Sequence, residues 1–200
     1  MDDVAEVRVA AEGAVVGPDS LRAPDPLQVG MVVWLASELM FFSGLFAAWF
    51  TLRANAAGWP PPGVHLSTAR TGAATAVLLA SSFTMHLAVA AARRDDRAGS
   101  VRWLGVTVAM GSLFLANQAW EYHTASFHIS TDAYGSIFYL MTGFHGLHVI
   151  GGLVFLLTIG GVIGGRSKAP AARTVEMAAY YWHFVDVVWV AMYTTIYLIS

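Results

Sequence analysis

Tyr180-Tyr181-Trp182-His183-Phe184-Val185-Asp186-Val187-Val188-Trp189-Val190 lies in an apolar run of membrane length, yet it carries a histidine and an aspartate. A carboxylate deep in hydrocarbon costs roughly 2.5–3.5 kcal/mol on insertion scales, so it needs a partner and a purpose. His183 and Asp186 stand three residues apart, which sets them on neighbouring parts of one helical face. The stretch therefore predicts a membrane protein whose interior holds polar machinery or polar glue.

The rest of the chain agrees with a bilayer setting. Of its 200 residues 56% are hydrophobic and 12% charged, with a mean hydropathy of +0.58. A net charge of −2 gives no argument for nucleic acid. Cysteine is absent, which excludes disulfides, thiol catalysis and iron–sulfur ligation. Residues 1–28 contain Asp2, Asp3, Glu6, Glu12, Asp19 and Asp25 against Arg8 and Arg22. With Pro18, Pro24 and Pro26 and no continuous apolar core, they read as a flexible acidic tail without a cleavable secretory signal.

Five charge-poor stretches follow, at about 29–52, 71–92, 101–120, 136–164 and 177–199. Each is close to or above the ~20 residues that cross ~30 Å of hydrocarbon as a helix. The fourth is longer than a span requires, which implies tilt or an extension beyond the membrane. Continuous apolar runs without alternation argue against a barrel. The fold class expected is an all-α membrane protein of five transmembrane helices, its membrane domain covering 29–200.

Basic residues orient it. Arg8, Arg22, Arg93, Arg94, Arg97, Arg102, Arg166, Lys168 and Arg173 fall in the tail and the even loops, against only Arg53 and Arg70 on the other side. By the positive-inside rule the N-terminus is cytoplasmic and the C-terminus external. Gly58-Trp59-Pro60-Pro61-Pro62-Gly63 then forms a rigid external turn with an interfacial tryptophan.

Several polar groups fall inside these spans. Glu38, in Ser37-Glu38-Leu39-Met40-Phe41-Phe42, sits roughly 12 Å along the first helix, either as a proton-exchanging acid or as a hydrogen-bonding strut. His145 and His148 share a face with Gly152 one turn on. They suit metal ligation or, as the favoured reading, interhelical hydrogen bonds and packing, since a metal needs further ligands at the same depth. Glu121 and His123 close the third helix, and Glu176 opens the last, where a carboxylate complements the helix dipole. His86 reads as a polar contact. A di-iron carboxylate site is set aside because paired Glu-x-x-His motifs are missing.

In order, Ser37-Glu38-Leu39-Met40-Phe41-Phe42, Glu121-Tyr122, Ala133-Tyr134-Gly135-Ser136, Thr142-Gly143-Phe144-His145-Gly146-Leu147-His148-Val149 and Tyr181-Trp182-His183-Phe184-Val185-Asp186-Val187-Val188-Trp189 resemble subunit III of the haem–copper oxidases in its short five-helix bacterial form. The resemblance extends over nearly everything after residue 29. It implies an accessory subunit of an aa3-type cytochrome c oxidase in the aerobic respiratory chain. Such a subunit carries no haem or copper, which sit in subunits I and II. It packs on subunit I, binds phospholipid in a cleft, and supports proton uptake and turnover stability in a proton-pumping translocase.

By the same resemblance Glu38 is the membrane-buried carboxylate that reacts with carbodiimides in relatives. His145, His148, Glu176, His183 and Asp186 take structural or lipid-proximal positions, with Glu121 grouped beside them. No catalytic or metal-ligating residue is expected in this chain. Longer relatives have seven helices, so a small subunit could replace the two that are lacking here. A supercomplex with a cytochrome c reductase is a further expected partner, in the plasma membrane of a bacterium. Subunit III of a quinol oxidase is the nearest alternative. From a different class, Glu38 and Asp186 could be the titrating pair of a free-standing proton-coupled transporter.

Overall fold

The structure, a computed structural model, describes residues 26–165 and 171–199. The described residues are helical and contain no strand. Five helices follow one another: α1 Pro26–Asn55, α2 Thr68–Arg93, α3 Arg97–Thr124, α4 Ala133–Gly164 and α5 Ala171–Tyr193. A π-helical turn, Thr194–Leu198, extends α5. The acidic tail expected at 1–28 lies outside the described residues except for Pro26, Leu27 and Gln28, which already belong to α1. Arg166 and Lys168, used to assign orientation, also lie outside them.

Four helices are long and apolar enough to cross a membrane: α1, α2, α3 and α4. Helix α5 is the exception among the five spans expected from sequence. It begins at Ala171, six residues before the predicted start, and takes in Arg173 and Glu176. Those charges, with His183 and Asp186, dilute the hydropathy that Val185, Val187, Val188 and Val190 supply.

Local chemistry explains the helix boundaries. Asp96 caps α3 by accepting the Gly99 amide at 2.8 Å, and Asp132 caps α4 by accepting the Gly135 amide at 2.7 Å. Between α2 and α3 the chain reverses through Asp95, whose φ of 59° is a left-handed value that aspartate tolerates. Gly63, at φ 91°, turns the proline-rich loop before α2. In that loop Trp59, joined to Pro60 by a cis bond, packs edge-on against Trp49 and Tyr134, each 4.9 Å away.

Contact density divides the chain into two units, 1–33 and 34–200. Only the first turns of α1 belong to the described part of the former. Within the latter, α2 packs on α3 and α5, and α4 packs on α3 and α5, which closes a four-helix ring. Trp182 fills its centre with 0% exposure. Glycines make room for it: a Cβ on Gly111 would meet its ring at 2.6 Å, and one on Gly152 at 3.0 Å. Glycines of α3 and α4 thus admit a tryptophan of α5, a close helix approach of the kind small residues allow.

Helix α1 is different. Over its whole length it buries only Phe42 and Trp49. Trp34, Leu39, Met40, Phe41 and Phe50 stay exposed. Such a surface is stable only against lipid or another protein.

Candidate functional site

The polar residues singled out from sequence fall mainly into three groups of interhelical contacts. The largest runs along the contact of α2 with α5. From one end, Tyr193 Oη donates to the Thr68 carbonyl at 3.1 Å, and Trp189 Nε1 donates to Thr75 Oγ1 at 2.9 Å. Trp182 Nε1 donates to Ser81 Oγ at 2.9 Å. Ser82 Oγ lies 2.9 Å from His183 Nδ1, and its hydroxyl donates to Asp186 Oδ2. At the far end Arg93 Nε donates to Glu176 Oε1 at 2.7 Å. The costly aspartate of the opening stretch therefore does have a partner on a second helix. That partner is a serine, which also holds His183.

Asp186 is 3% exposed, and its Oδ1 has no hydrogen-bond partner. Glu176 does not open the last helix as predicted. It lies within α5, because helical structure begins at Ala171, and its carboxylate meets Arg93 rather than a free helix end. His86 is exposed and lines a cavity of about 170 Å³ together with Arg93, Glu176, Tyr180 and His183.

The second group joins α1 to α4. Glu38 Oε2 lies 3.0 Å from His148 Nε2, and His148 Nδ1 lies 2.7 Å from the Phe144 carbonyl. A carbonyl only accepts, so Nδ1 carries hydrogen. Nε2 then meets Glu38 in one of two ways: a neutral imidazole accepts from a protonated carboxyl, or an imidazolium donates to a carboxylate. One proton is shared between the two residues in either case. Phe41 and Phe42 close around the pair, with Phe42 5.1 Å from the His148 ring. Tyr181 Oη of α5 donates to the His148 carbonyl at 2.9 Å.

His145 departs from the interhelical hydrogen bonding expected of it. It is 0% exposed, and neither ring nitrogen has a hydrogen-bond partner. Its contacts are aromatic: Trp189 at 4.9 Å, Phe114 at 6.0 Å and Phe42 at 6.5 Å. Sharing a face with His148 did not give it a shared role, because a carboxylate of α1 meets one histidine whereas rings from α5, α3 and α1 surround the other.

The third group centres on Glu121. In the last turn of α3, its carboxylate is buried and accepts Thr71 Oγ1 at 3.0 Å and Tyr197 Oη at 2.7 Å. Tyr197 lies in the π-helical turn, a distortion that often marks a site with a task.

Sequence reading missed Thr71, Thr75, Ser81, Ser82 and Tyr197. A signal existed. Thr68, Thr71, Thr75 and Ser82 recur at spacings of three, four and seven, a hydroxyl stripe down one face of α2. Gln118, which donates to the Thr142 carbonyl at 2.6 Å between α3 and α4, had no such pattern. Among the described residues no three His, Asp or Glu side chains gather as a metal site requires. Glu38, Glu121, Glu176 and Asp186 all have different partners.

These features lie within a chain that matches a known family along almost its whole length. A family model described as "Cytochrome c oxidase subunit III" covers residues 6–200. The chain belongs to the cytochrome c oxidase subunit III family. Among similar relatives is the probable cytochrome c oxidase subunit 3 of Mycobacterium tuberculosis, 51% identical over 189 residues, covering 90% of this chain and 91% of that protein. That of Nocardia farcinica is 48% identical over 192 residues, at 90% and 91% coverage. Cytochrome c oxidase subunit 3 of Thermostichus vulcanus is 38% identical over 198 residues, covering 96% and 97%. The resemblance read from five short motifs thus holds for the subunit III family.

Proposed function

We propose that this chain is the accessory third subunit of an aa3-type cytochrome c oxidase in the plasma membrane of a bacterium. Subunits I and II carry haem and copper and reduce oxygen to water; this chain supports their assembly, lipid contacts, proton uptake and turnover stability. It has five membrane spans, with the N-terminus cytoplasmic and the C-terminus external. Helix α5 crosses as the fifth span because its polar groups face α2 instead of lipid.

The observation that carries this reading is α1. It leaves Trp34, Leu39, Met40, Phe41 and Phe50 exposed while α2–α5 close on one another. Such a helix is finished by a neighbour: subunit I, a small subunit standing in for the two helices of longer relatives, or phospholipid. The groove of about 370 Å³ between α1 and α5 is lined by Leu35, Leu39, Phe184, Val187 and Val188, which suits an acyl chain. Association with a cytochrome c reductase would extend the same assembly.

The test is purification of the tagged chain in mild detergent, with an optical spectrum and identification of what accompanies it. A-type haem and subunits I and II are expected, and c-type haem marks the larger assembly. A chain that emerges alone and moves protons in liposomes would be a transporter. A partner without a copper-bearing subunit II domain would point to the quinol branch.

A further inference from the structure

We propose that the α2–α5 seam is a proton relay that loads and unloads Asp186 through Ser82 and His183 from the end of the seam marked by Arg93 and Glu176. The proposal goes beyond the accessory role above and does not depend on which partners the chain has, since every group in it belongs to this chain.

Three observations carry it. First, one serine hydroxyl stands between an imidazole and a carboxyl. Ser82 Oγ lies 2.9 Å from His183 Nδ1 and within hydrogen-bond reach of Asp186 Oδ2. A hydroxyl has one hydrogen and two lone pairs, so it can accept on one side while donating on the other. Both residues serve the same oxygen, and the three atoms Nδ1, Oγ and Oδ2 form an unbroken line. A purely structural anchor for Asp186 would need Ser82 alone.

Second, the line is open at one end and closed at the other. His183 is half-buried and lines the 170 Å³ cavity that reaches Arg93 and Glu176, whose side chains are 65% and 24% exposed. With Nδ1 engaged by Ser82, Nε2 is the nitrogen through which the ring would exchange a proton with the cavity. Asp186 forms the closed end.

Third, Asp186 Oδ1 is buried without a partner. A carboxylate there is a hydrogen bond short on that side, a deficit that a neutral carboxyl does not carry in full. Two protonation states thus share one heavy-atom geometry.

The step balances without any further reagent. In the ionised state His183 Nδ1–H donates to Ser82, and the Ser82 hydroxyl donates to Asp186. A proton from water in the cavity binds Nε2; Nδ1 passes its proton to Ser82 Oγ as Ser82 passes its own to Oδ2. The products are a neutral imidazole with hydrogen on Nε2 and a neutral carboxyl, one proton having been taken up. Discharge is the reverse.

Groups facing the relay come from several elements. His86 and Arg93 belong to α2, and Glu176 and Tyr180 to α5. Helix α1 contributes Leu35, Ala36 and Leu39 to the adjoining groove, its own Glu38 being held by His148. His145 of α4 packs at a tilt against Trp189, one turn beyond Asp186. Glu176 is held by Arg93, and His86 shares the cavity with His183.

Infrared spectroscopy of the full chain reconstituted in lipid tests this. The protonated-carboxyl stretch of Asp186 is assigned by its loss in Asp186→Asn, and its shift is followed after transfer from H₂O to D₂O. Wild type is expected to exchange within the mixing time. Ser82→Ala is expected to slow exchange by roughly a hundredfold, the scale on which a positioned proton-transfer group acts, and Ser82→Thr to restore it. If Asp186→Asn does not fold, the band is assigned by the shift it undergoes between wild type and Ser82→Ala, which removes only a hydroxyl. Equal exchange rates in wild type and Ser82→Ala, or a carboxyl band that never appears between acid and alkaline pH, would overturn the proposal. Failure to copurify with an oxidase would count against the accessory role and leave this measurement unaffected.

Discussion

Helices α5 and α1 both contact α4, yet they are held in opposite ways. Helix α5 is tied to α2 at Thr68, Thr75, Ser81, Ser82 and Arg93, from one end to the other. Its Trp182, Asp186 and Trp189 are buried although its sequence is partly polar. Helix α1 has the more hydrophobic sequence and the weaker attachment: one polar link to α4, Glu38 to His148, and two buried aromatic anchors. In lipid, hydrophobicity gives a helix no reason to prefer protein over acyl chains, whereas packing and hydrogen bonds do. The contrast shows which helix belongs to the chain's own core and which is offered to something else.

The sharpest way to break that contrast is Trp182→Ala. It empties the centre of the ring and removes the bond to Ser81, so a loss of about 3–5 kcal/mol is expected in thermal or denaturant unfolding of the purified chain. A loss below about 1 kcal/mol would mean that α5 is no better anchored than α1. Asp186→Leu comes next. Removing the acceptor takes away the Ser82–carboxylate bond and leaves Ser82 with His183 alone, and about 1–3 kcal/mol of stability should go with it. Unchanged yield and melting temperature would show the seam to be dispensable.

Glu38→Gln sharpens the comparison from the other side. The amide can still donate to His148 Nε2, so the chain should remain in its complex with less than about 1 kcal/mol lost. Disappearance of the chain from the purified complex would make Glu38 the indispensable strut of α1. Arg93→Ala should have the smallest effect, about 0–1 kcal/mol, because its partner Glu176 is paired at an exposed end. A larger loss would place that ion pair inside the cooperative core.

Much of this was legible before the fold. Charge-poor runs located all five helices, since hydropathy depends on composition alone. Their ends were less legible: α5 starts six residues early because Arg173 and Glu176 lie on a helical turn that no apolar pattern marks. Asp186 announced a buried polar contact, and its chemistry demanded a donor. The identity of the donor was not legible. Ser82 lies 104 residues away, and no local rule connects the two. The same holds for Glu38 and His148, separated by 110 residues. Two histidines on one face suggested a common role for His145 and His148, but periodicity reports direction and says nothing of what stands opposite. The partners of Glu121 were illegible for a related reason: a residue near a helix end is exposed unless another element covers it, and Tyr197 does.

That cover depends on angular bookkeeping within the final turn. An α-helix advances ~100° per residue, and a π-turn accommodates one extra residue without losing its place. Deleting a single residue between Thr194 and Leu198 would let α5 continue as a regular helix with hydropathy nearly unchanged. It would also swing the Tyr197 hydroxyl away from Glu121, leaving a buried acid with Thr71 as its remaining donor. The last five helical residues therefore act as a phase adjuster, and a length change of one there should disturb this end of the molecule more than most substitutions of side-chain type.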